Sequence, residues 1–240
     1  GEPYAKRRSQ GLVLANDGEK MSKSKGNVVN PDDVAREFGA DALRTYIMFM
    51  GPFDQPVPWD TNGLQGVRRF LDRVWNLYES EACPQETPDG KILYHQTVKK
   101  LTEGIDNLQF NTCVSQLMIL SNAYQEAGGI PEVQREGFVQ LLAPFAPHLA
   151  EELWQKLGKT GSVHLSSWPA YDANALETES YELVVQVNGK VRAKLQVPRS
   201  TEEAEACAKA LALPEVQRWT GGAPIQKTVF VKGRLLSLTV

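Results

Sequence analysis

Cysteine and histidine are scarce in this sequence, and neither is clustered. The three cysteines are Cys83, Cys113 and Cys207, with no Cys-x-x-Cys pair, and the three histidines are equally scattered. Disulfide frameworks use paired cysteines, and metal sites need several ligands at a suitable spacing. The sequence therefore predicts neither a disulfide framework nor a metal site held by protein ligands.

The sequence also has no long apolar run and no glycine-rich phosphate loop of the P-loop kind. A helix that crosses a bilayer needs about eighteen or more apolar residues in succession, and residues 1–4 do not resemble a signal peptide. These features predict a cytoplasmic protein rather than a membrane protein. A chain of 240 residues, 42% hydrophobic and 23% charged, is typical of a globular protein with one or two domains.

The most informative segment is a run of lysines interleaved with serines and closed by a glycine. It consists of Lys20, Met21, Ser22, Lys23, Ser24, Lys25 and Gly26. Lysine and serine side chains donate hydrogen bonds to anions, and glycine lets backbone N–H groups approach them closely. The segment follows a short strand predicted at residues 12–14 and a turn predicted at residues 16–18. We predict a mobile phosphate-binding loop, although charge pattern alone also fits a solvated surface.

The rest of the chain is predicted to be mainly α, with an antiparallel helix bundle followed by a small C-terminal α+β domain. Asn30 and Pro31 are typical of a helix start, and Gly39 is predicted to break residues 31–50 into two helices. Apolar residues then recur at helical spacing as far as Leu157. We predict four segments: 1–50 with the loop and connecting helices, 51–167 as the bundle, 168–180 as a linker, and 181–240 as the α+β domain.

The C-terminal segment is basic, whereas the chain as a whole is acidic. Residues 181–240 contain nine lysines and arginines against five acids, a net charge of +4, while the whole chain carries −3, which leaves −7 for the remainder. The spacing around Asn188 and Gly189 predicts a hairpin in which Lys190, Arg192 and Lys194 share one face. A second hairpin is predicted around Lys232 and Gly233, with Arg234 beside it.

Two sets of basic residues are therefore candidates for contact with nucleic-acid phosphates. The C-terminal set is Lys190, Arg192, Lys194, Lys232 and Arg234, and the second set is Arg68, Arg69 and Arg73 on the first bundle helix. A merely solvated face is the alternative for both sets. A helix-capping pattern at residues 200–203, with Ser200 as N-cap, predicts a helix between the two hairpins.

The lysine segment resembles the second signature motif of the class I aminoacyl-tRNA synthetases. Residues 26–31 and 39–44 are similar to the leucine, isoleucine and valine branch of that class, and residues 46–52, Trp59 and residues 69–75 are similar to its bacterial leucyl type. Residues 141–154 resemble the anticodon-binding bundle of the same branch. Residues 181–240 resemble the C-terminal domain of the bacterial leucyl type, which touches the outer corner of tRNA.

The resemblance implies ATP-dependent activation of leucine to leucyl-adenylate, followed by transfer to tRNA(Leu). ATP, with Mg²⁺ in the complete enzyme, would be bound by Lys20, Met21, Ser22, Lys23 and Ser24. Lys23, supported by Lys20, would stabilise charge on the departing pyrophosphate, so both are candidate catalytic residues.

The first signature motif of the class, His-x-Gly-His, does not occur in the sequence. We therefore expect only the C-terminal part of the family architecture, able to bind tRNA but inactive alone. Two alternatives remain: an isoleucyl or valyl enzyme of the same branch, and a stand-alone tRNA-binding module.

Overall fold

The computed structural model describes residues 3–80, 84–176, 180–198 and 201–240. The chain divides into two units, Gly1–Ala175 and Leu176–Val240. The first unit is built from helices with one very small sheet, and the second from a four-stranded sheet and helices. The predicted fold class, mainly α with a small C-terminal α+β domain, is confirmed.

The first unit begins with a two-stranded parallel sheet. Strand β1 (Val13–Leu14) pairs with β2 (Val57–Pro58), which comes after the first two helices in the chain. The strand predicted at residues 12–14 is present as β1, but it is not a buried strand, because Leu12 is 56% exposed and Val13 and Leu14 are half-buried. An isolated antiparallel bridge joins Leu14 to Lys20 across the predicted turn. The sheet fixes the segment before the lysine-rich loop to the segment before the bundle.

Two short helices follow the loop and meet at Gly39, as predicted. Helix α1 (Pro31–Phe38) has Asn30 as N-cap, whose side chain accepts a hydrogen bond from the Asp32 N–H at 3.2 Å. Helix α2 (Ala40–Phe49) begins after Gly39, which has a φ of 95°. Because side chains strongly disfavour that conformation, glycine is the residue that allows the break.

The bundle contains five helices joined by short connections: α3 (Thr61–Glu79), α4 (Pro88–Asp106), α5 (Phe110–Glu126), α6 (Glu132–Leu142) and α7 (Pro147–Lys156). Asp60 caps α3, because its carboxylate accepts hydrogen bonds from the Asn62 and Gly63 N–H groups at 2.9 and 3.2 Å. Phe70, Phe138 and Phe145 are almost fully buried at its centre. Val34 and Tyr46 belong to the same apolar core, so α1 and α2 pack on the bundle.

A polar segment after α7 returns across the bundle surface. Its first short 3-10 turn, Val163–Leu165, is followed by Trp168, whose Nε1–H donates to Thr102 Oγ1 at 2.9 Å. Further along, the Asp172 N–H donates to His95 Nδ1 at 3.2 Å. Trp168 therefore anchors this segment on the bundle, while residues 177–179 of the predicted linker lie outside the described residues.

The second unit is a mixed sheet with two helices on one face. Its elements are β3 (Ser180–Val187), β4 (Lys190–Pro198), α8 (Glu203–Leu211), α9 (Pro214–Thr220), β5 (Lys227–Val231) and β6 (Leu235–Thr239). The strand order is β4-β3-β6-β5, with β3 and β6 parallel. Leu183, Val185, Ala206 and Val216 form its own buried core. The predicted cap Ser200 lies outside the described residues, and Glu202 occupies the N-cap position of α8 without a capping hydrogen bond from its side chain.

A β-bulge interrupts the first hairpin of this unit. Val185 pairs with Ala193, but Gln186 pairs with Val191, so Arg192 has no counterpart on β3. The prediction that Lys190, Arg192 and Lys194 share one face of the hairpin was therefore wrong. Alternation of side chains holds only while the pairing is one to one.

Candidate phosphate loop and nucleic-acid interface

The lysine-rich loop starts from a tight turn at the end of β1. The Ala15 N–H donates to Glu19 O at 2.8 Å, and the Gly18 N–H donates to Ala15 O at 2.9 Å. Within the loop, residues Lys23–Lys25 form one 3-10 turn that ends at Gly26, with a φ of 66°. The half-buried Met21 packs against the core of the first unit. The loop is therefore anchored through Met21, while its lysines are exposed.

Asn27 holds the two sides of this loop together. Its Oδ1 accepts a hydrogen bond from the Ser22 N–H at 2.8 Å, and its Nδ2 donates to Lys20 O at 3.5 Å. The Ser22 and Ser24 hydroxyls lie 2.8 Å apart. Sequence reasoning gave Asn27 no structural role; an amide directly after a turn glycine is the signal that could have identified it.

The three lysines of the loop differ in how their charges are compensated. Lys25 forms an ion pair with Glu19. Lys20 and Lys23 are exposed, and neither pairs with a carboxylate in the described ranges. The two lysines proposed to act on phosphate are thus the two that present uncompensated positive charge.

The loop offers positive charge and hydroxyl donors but no acid–base pair. Among the residues that the structure describes, no three His, Cys, Asp or Glu side chains are grouped as a metal site would require. The loop itself, residues 20–26, contains no carboxylate for Mg²⁺, which proteins commonly hold through one or two carboxylates together with the phosphates of the substrate. The arrangement can bind phosphate and stabilise negative charge on it.

The arginines of α3 make different contacts. Arg68 pairs with Asp72 at 2.9 Å, and its Nη1 donates to Phe38 O at 2.9 Å. The half-buried Arg73 donates from Nε to Ser121 Oγ of α5 at 3.3 Å. Arg69 is exposed and lines, together with Arg73, a depression of about 380 Å³. Arg68 and Arg73 therefore also serve the fold, whereas Arg69 has the more available charge.

The basic residues of the second unit also divide into compensated and uncompensated groups. Lys194 pairs with Glu182 at 2.8 Å, and Lys232 pairs with Glu202 at 2.6 Å. Lys190 and Arg234 are exposed. Arg192 lies over the ring of Trp219, with its guanidinium carbon 3.4 Å from the ring centroid. Trp219 was not identified from the sequence as a partner of Arg192, because only the β-bulge of the structure brings the two side chains together.

The largest pKa shifts lie in the bundle rather than at the loop. Burial raises the pKa of Tyr94 to about 12 and that of Cys113 to about 11. Burial also raises the pKa values of Tyr78 and Tyr124 well above the usual range. These groups are enclosed in the helical core, so their pKa shifts reflect packing rather than catalysis.

An apolar cavity of about 470 Å³ lies beside β1 in the first unit. Gly11, Val13, Met48, Phe53 and Phe145 contribute to its lining, which contains no titratable side chain. It has no means of acid–base catalysis.

In the described part of the chain, no helix is both long and apolar enough to span a bilayer.

Two family models match the chain. Residues 1–60 match the tRNA synthetases class I (I, L, M and V), and residues 92–208 match the anticodon-binding domain of tRNA ligase. The first match contains the lysine-rich loop, and the second covers most of the bundle and continues into α8.

The structure is also similar to that of the leucyl-tRNA synthetase agnB2 of Agrobacterium radiobacter K84, solved as a ternary complex with tRNA and LeuAMS. The TM-score is 0.80 and the sequence identity is 32%. The match covers 99% of this chain and 33% of the synthetase, so the chain spans about one third of the length of that relative.

Proposed function

Because this chain belongs to the class I tRNA synthetases, we propose that it is part of a leucine–tRNA ligase. The observation that carries the proposal is the match to a leucyl-tRNA synthetase at 32% identity over 99% of the chain. The leucyl-type segments at residues 46–52 and 69–75 support leucine over isoleucine and valine. The whole enzyme would activate leucine with ATP and transfer it to tRNA(Leu) in the cytoplasm.

In this proposal the lysine-rich loop binds the phosphates of ATP. Lys20 and Lys23 are exposed and uncompensated, whereas Lys25 is paired with Glu19. Negative charge grows on pyrophosphate as it leaves, so a lysine placed beside it stabilises the transition state more than the ground state. Lys23, on the 3-10 turn, is the proposed catalytic lysine, with Lys20 supporting it. Met21, Ser22 and Ser24 complete the proposed ATP-binding loop.

We also propose that the bundle and the second unit bind tRNA. The related synthetase was solved with tRNA, and residues 92–208 match an anticodon-binding domain. The exposed cations Arg69, Lys190 and Arg234 are the best placed to meet phosphates. Arg68, Arg73, Lys194 and Lys232 would first have to exchange an internal partner.

These 240 residues are proposed to bind tRNA without forming adenylate. A lysine loop stabilises pyrophosphate only when a nucleotide pocket holds ATP against it. The chain covers about one third of the related synthetase. The stand-alone tRNA-binding module remains the second candidate, because its tRNA surfaces would be the same.

Amino-acid-dependent exchange of pyrophosphate into ATP tests the proposal on a longer protein that contains this chain. We expect exchange with leucine and far less with isoleucine or valine. The 240-residue chain alone, assayed in parallel, should show tRNA binding but no exchange. Exchange that prefers isoleucine or valine would contradict the leucine assignment.

A further inference from the structure

Arg192 and Trp219 form the one cation–π contact found in the described residues of the second unit. The guanidinium carbon lies 3.4 Å from the centroid of the Trp219 ring. Trp219 is nevertheless 49% exposed. Because one side of the indole carries the guanidinium, much of the remaining ring surface faces solvent.

The β-bulge is what brings Arg192 onto this ring. Without it, Arg192 would lie on the same face as Lys194, and that face is turned away from the helices. The register change between Val185 and Gln186 instead directs Arg192 towards α9, which packs on β3 and β4. β-Bulges commonly redirect a side chain at a functional position, and they interrupt the regular hydrogen bonding between the two strands. The redirected Arg192 lies stacked on the Trp219 ring.

The charge of Arg192 is not compensated within the described ranges. Lys194, Lys209 and Lys232 each pair with a glutamate. Arg192 forms no ion pair there, and its Nε is buried without a hydrogen-bond partner. A guanidinium that is stacked on a ring and has no carboxylate partner is suited to a phosphate or a base edge.

We propose that the Arg192–Trp219 pair is a nucleotide-binding contact for an unstacked nucleotide of tRNA. The base lies on the exposed side of the indole, and the Arg192 guanidinium donates to the adjacent phosphate. Aromatic side chains bind unpaired bases by stacking, and a neighbouring arginine adds charge attraction and hydrogen bonds. This inference rests on the proposed tRNA-binding function, and it adds a base contact to the phosphate contacts described above.

The test measures binding of a tRNA(Leu) transcript to the 240-residue chain as a function of salt. Trp219→Ala should weaken binding roughly 5- to 150-fold, which corresponds to one stacked base, without changing the salt slope. Trp219→Phe should retain most of the affinity, because the ring remains. Arg192→Gln should lower the magnitude of the slope by about 0.7 to 0.9, as expected for one lost phosphate contact.

Tryptophan fluorescence gives a second readout on the same samples. Wild-type protein and the control Trp168→Phe should both be quenched on addition of tRNA, because Trp168 lies on the bundle. Trp219→Phe should lose that quenching. Circular dichroism of each variant checks that the second unit remains folded.

Three results separate the possibilities. If wild-type chain binds tRNA and Trp219→Ala binds equally well, the pair is only a structural stack and the inference is wrong. If Trp219→Ala weakens binding but Trp219→Phe retains the quenching, the base lies elsewhere, which also overturns it. If wild-type chain does not bind tRNA at low salt, the proposed tRNA-binding function of the chain itself fails, and the inference fails with it.

Discussion

Within the lysine-rich loop, individual lysines have different electrostatic surroundings. Lys25 is paired with Glu19, and Lys23 is not paired within the described residues. In the complete enzyme, Lys23→Ala should reduce the rate of adenylate formation by about 10²- to 10³-fold, as for loss of one well-placed charge-stabilising donor. Pre-steady-state kinetics of adenylate formation would measure it.

The matched control is Lys25→Ala on the same loop. An exposed ion pair contributes at most about 1 kcal/mol, so this variant should lose less than about fivefold. Equal losses for both variants would show that the loop acts through its total charge rather than through Lys23.

Asp41, in the first turn of α2, links that helix to α7 of the bundle. Its carboxylate accepts hydrogen bonds from the His148 and Leu149 N–H groups at 3.3 and 2.7 Å, and it contacts His148 Nδ1 at 2.8 Å. It therefore caps α7 from a distant part of the chain. Asp41→Ala should lower the free energy of unfolding by about 1 to 2 kcal/mol, the usual cost of losing a cap.

Urea unfolding would measure that loss, with Asp33→Ala as the control. Asp33 is exposed; its carboxylate pairs with Arg36 and accepts one hydrogen bond from Asn30 Nδ2 at 3.1 Å, so its removal should cost less than the loss of Asp41, at most about 1 kcal/mol. If the two variants unfolded at the same urea concentration, Asp41 would be an ordinary surface acid.

His95 predicts a pH dependence for the segment that crosses the bundle. Burial lowers the pKa of His95, and its Nδ1 accepts the Asp172 N–H only when unprotonated. The unfolded chain therefore binds the proton more readily than the folded one. Stability should be complete above about pH 6.5 and fall as the pH drops from there through the lower folded pKa.

Thermal unfolding at a series of pH values would measure this effect against His95→Gln. The glutamine cannot be protonated, so the variant should lose part of the pH dependence that the wild-type chain shows below about pH 6.5. Identical pH profiles would show that His95 titrates normally in the folded chain.

At the scale of elements, the packing of α4 against α6 depends on one glycine. A Cβ placed on Gly137 would lie 1.8 Å from the hydroxyl oxygen of Tyr94 and 3.0 Å from its Cζ. Both residues are buried, so the ring cannot move into solvent. Gly137→Ala should destabilise the bundle by roughly 1 to 3 kcal/mol, as overpacking usually does.

The double variant Gly137→Ala with Tyr94→Phe should recover much of that loss, because the closest atom is gone. Gly66→Ala on α3 is the control: its Cβ would meet only Arg69 Nη2 at 3.8 Å, so it should stabilise the helix by about 0.5 to 1 kcal/mol. Denaturant titration of the four proteins would decide, and a double variant no more stable than Gly137→Ala would contradict the steric explanation.

The helices could be predicted from the sequence more completely than the pairing of the strands, and the reason is physical. Helix caps such as Asn30 and Asp60, and apolar spacing along α3, depend on neighbours within a few residues. The parallel pairing of β1 with β2 joins distant segments, one of them ending at Pro58. The bulge at Arg192 is an extra residue in the pairing, which alternation alone cannot reveal. The same limit applies to the candidate site: the lysines were identifiable, but the partners Glu19, Asn27 and Trp219 were not.

In the whole molecule, the net charge and the buried cores both divide between the two units. Each unit has its own buried core, and the boundary between units falls after Ala175. Residues 181–240 carry +4, while the other residues of the chain carry −7. Removal of residues 176–240 should therefore leave a cooperatively folded helical unit that has lost most of the attraction for tRNA phosphates.

Binding of tRNA(Leu) as a function of salt, with and without residues 176–240, would measure this contribution. Each phosphate contact contributes about 0.7 to 0.9 to the slope of log K against log salt. If Lys190, Arg192 and Arg234 each meet one phosphate, truncation should lower the magnitude of the slope by roughly 2 to 3. An unchanged slope would place the phosphate contacts on the first unit, where Arg69 is the exposed candidate. The slope thus separates the two basic surfaces, because it counts phosphate contacts rather than total affinity.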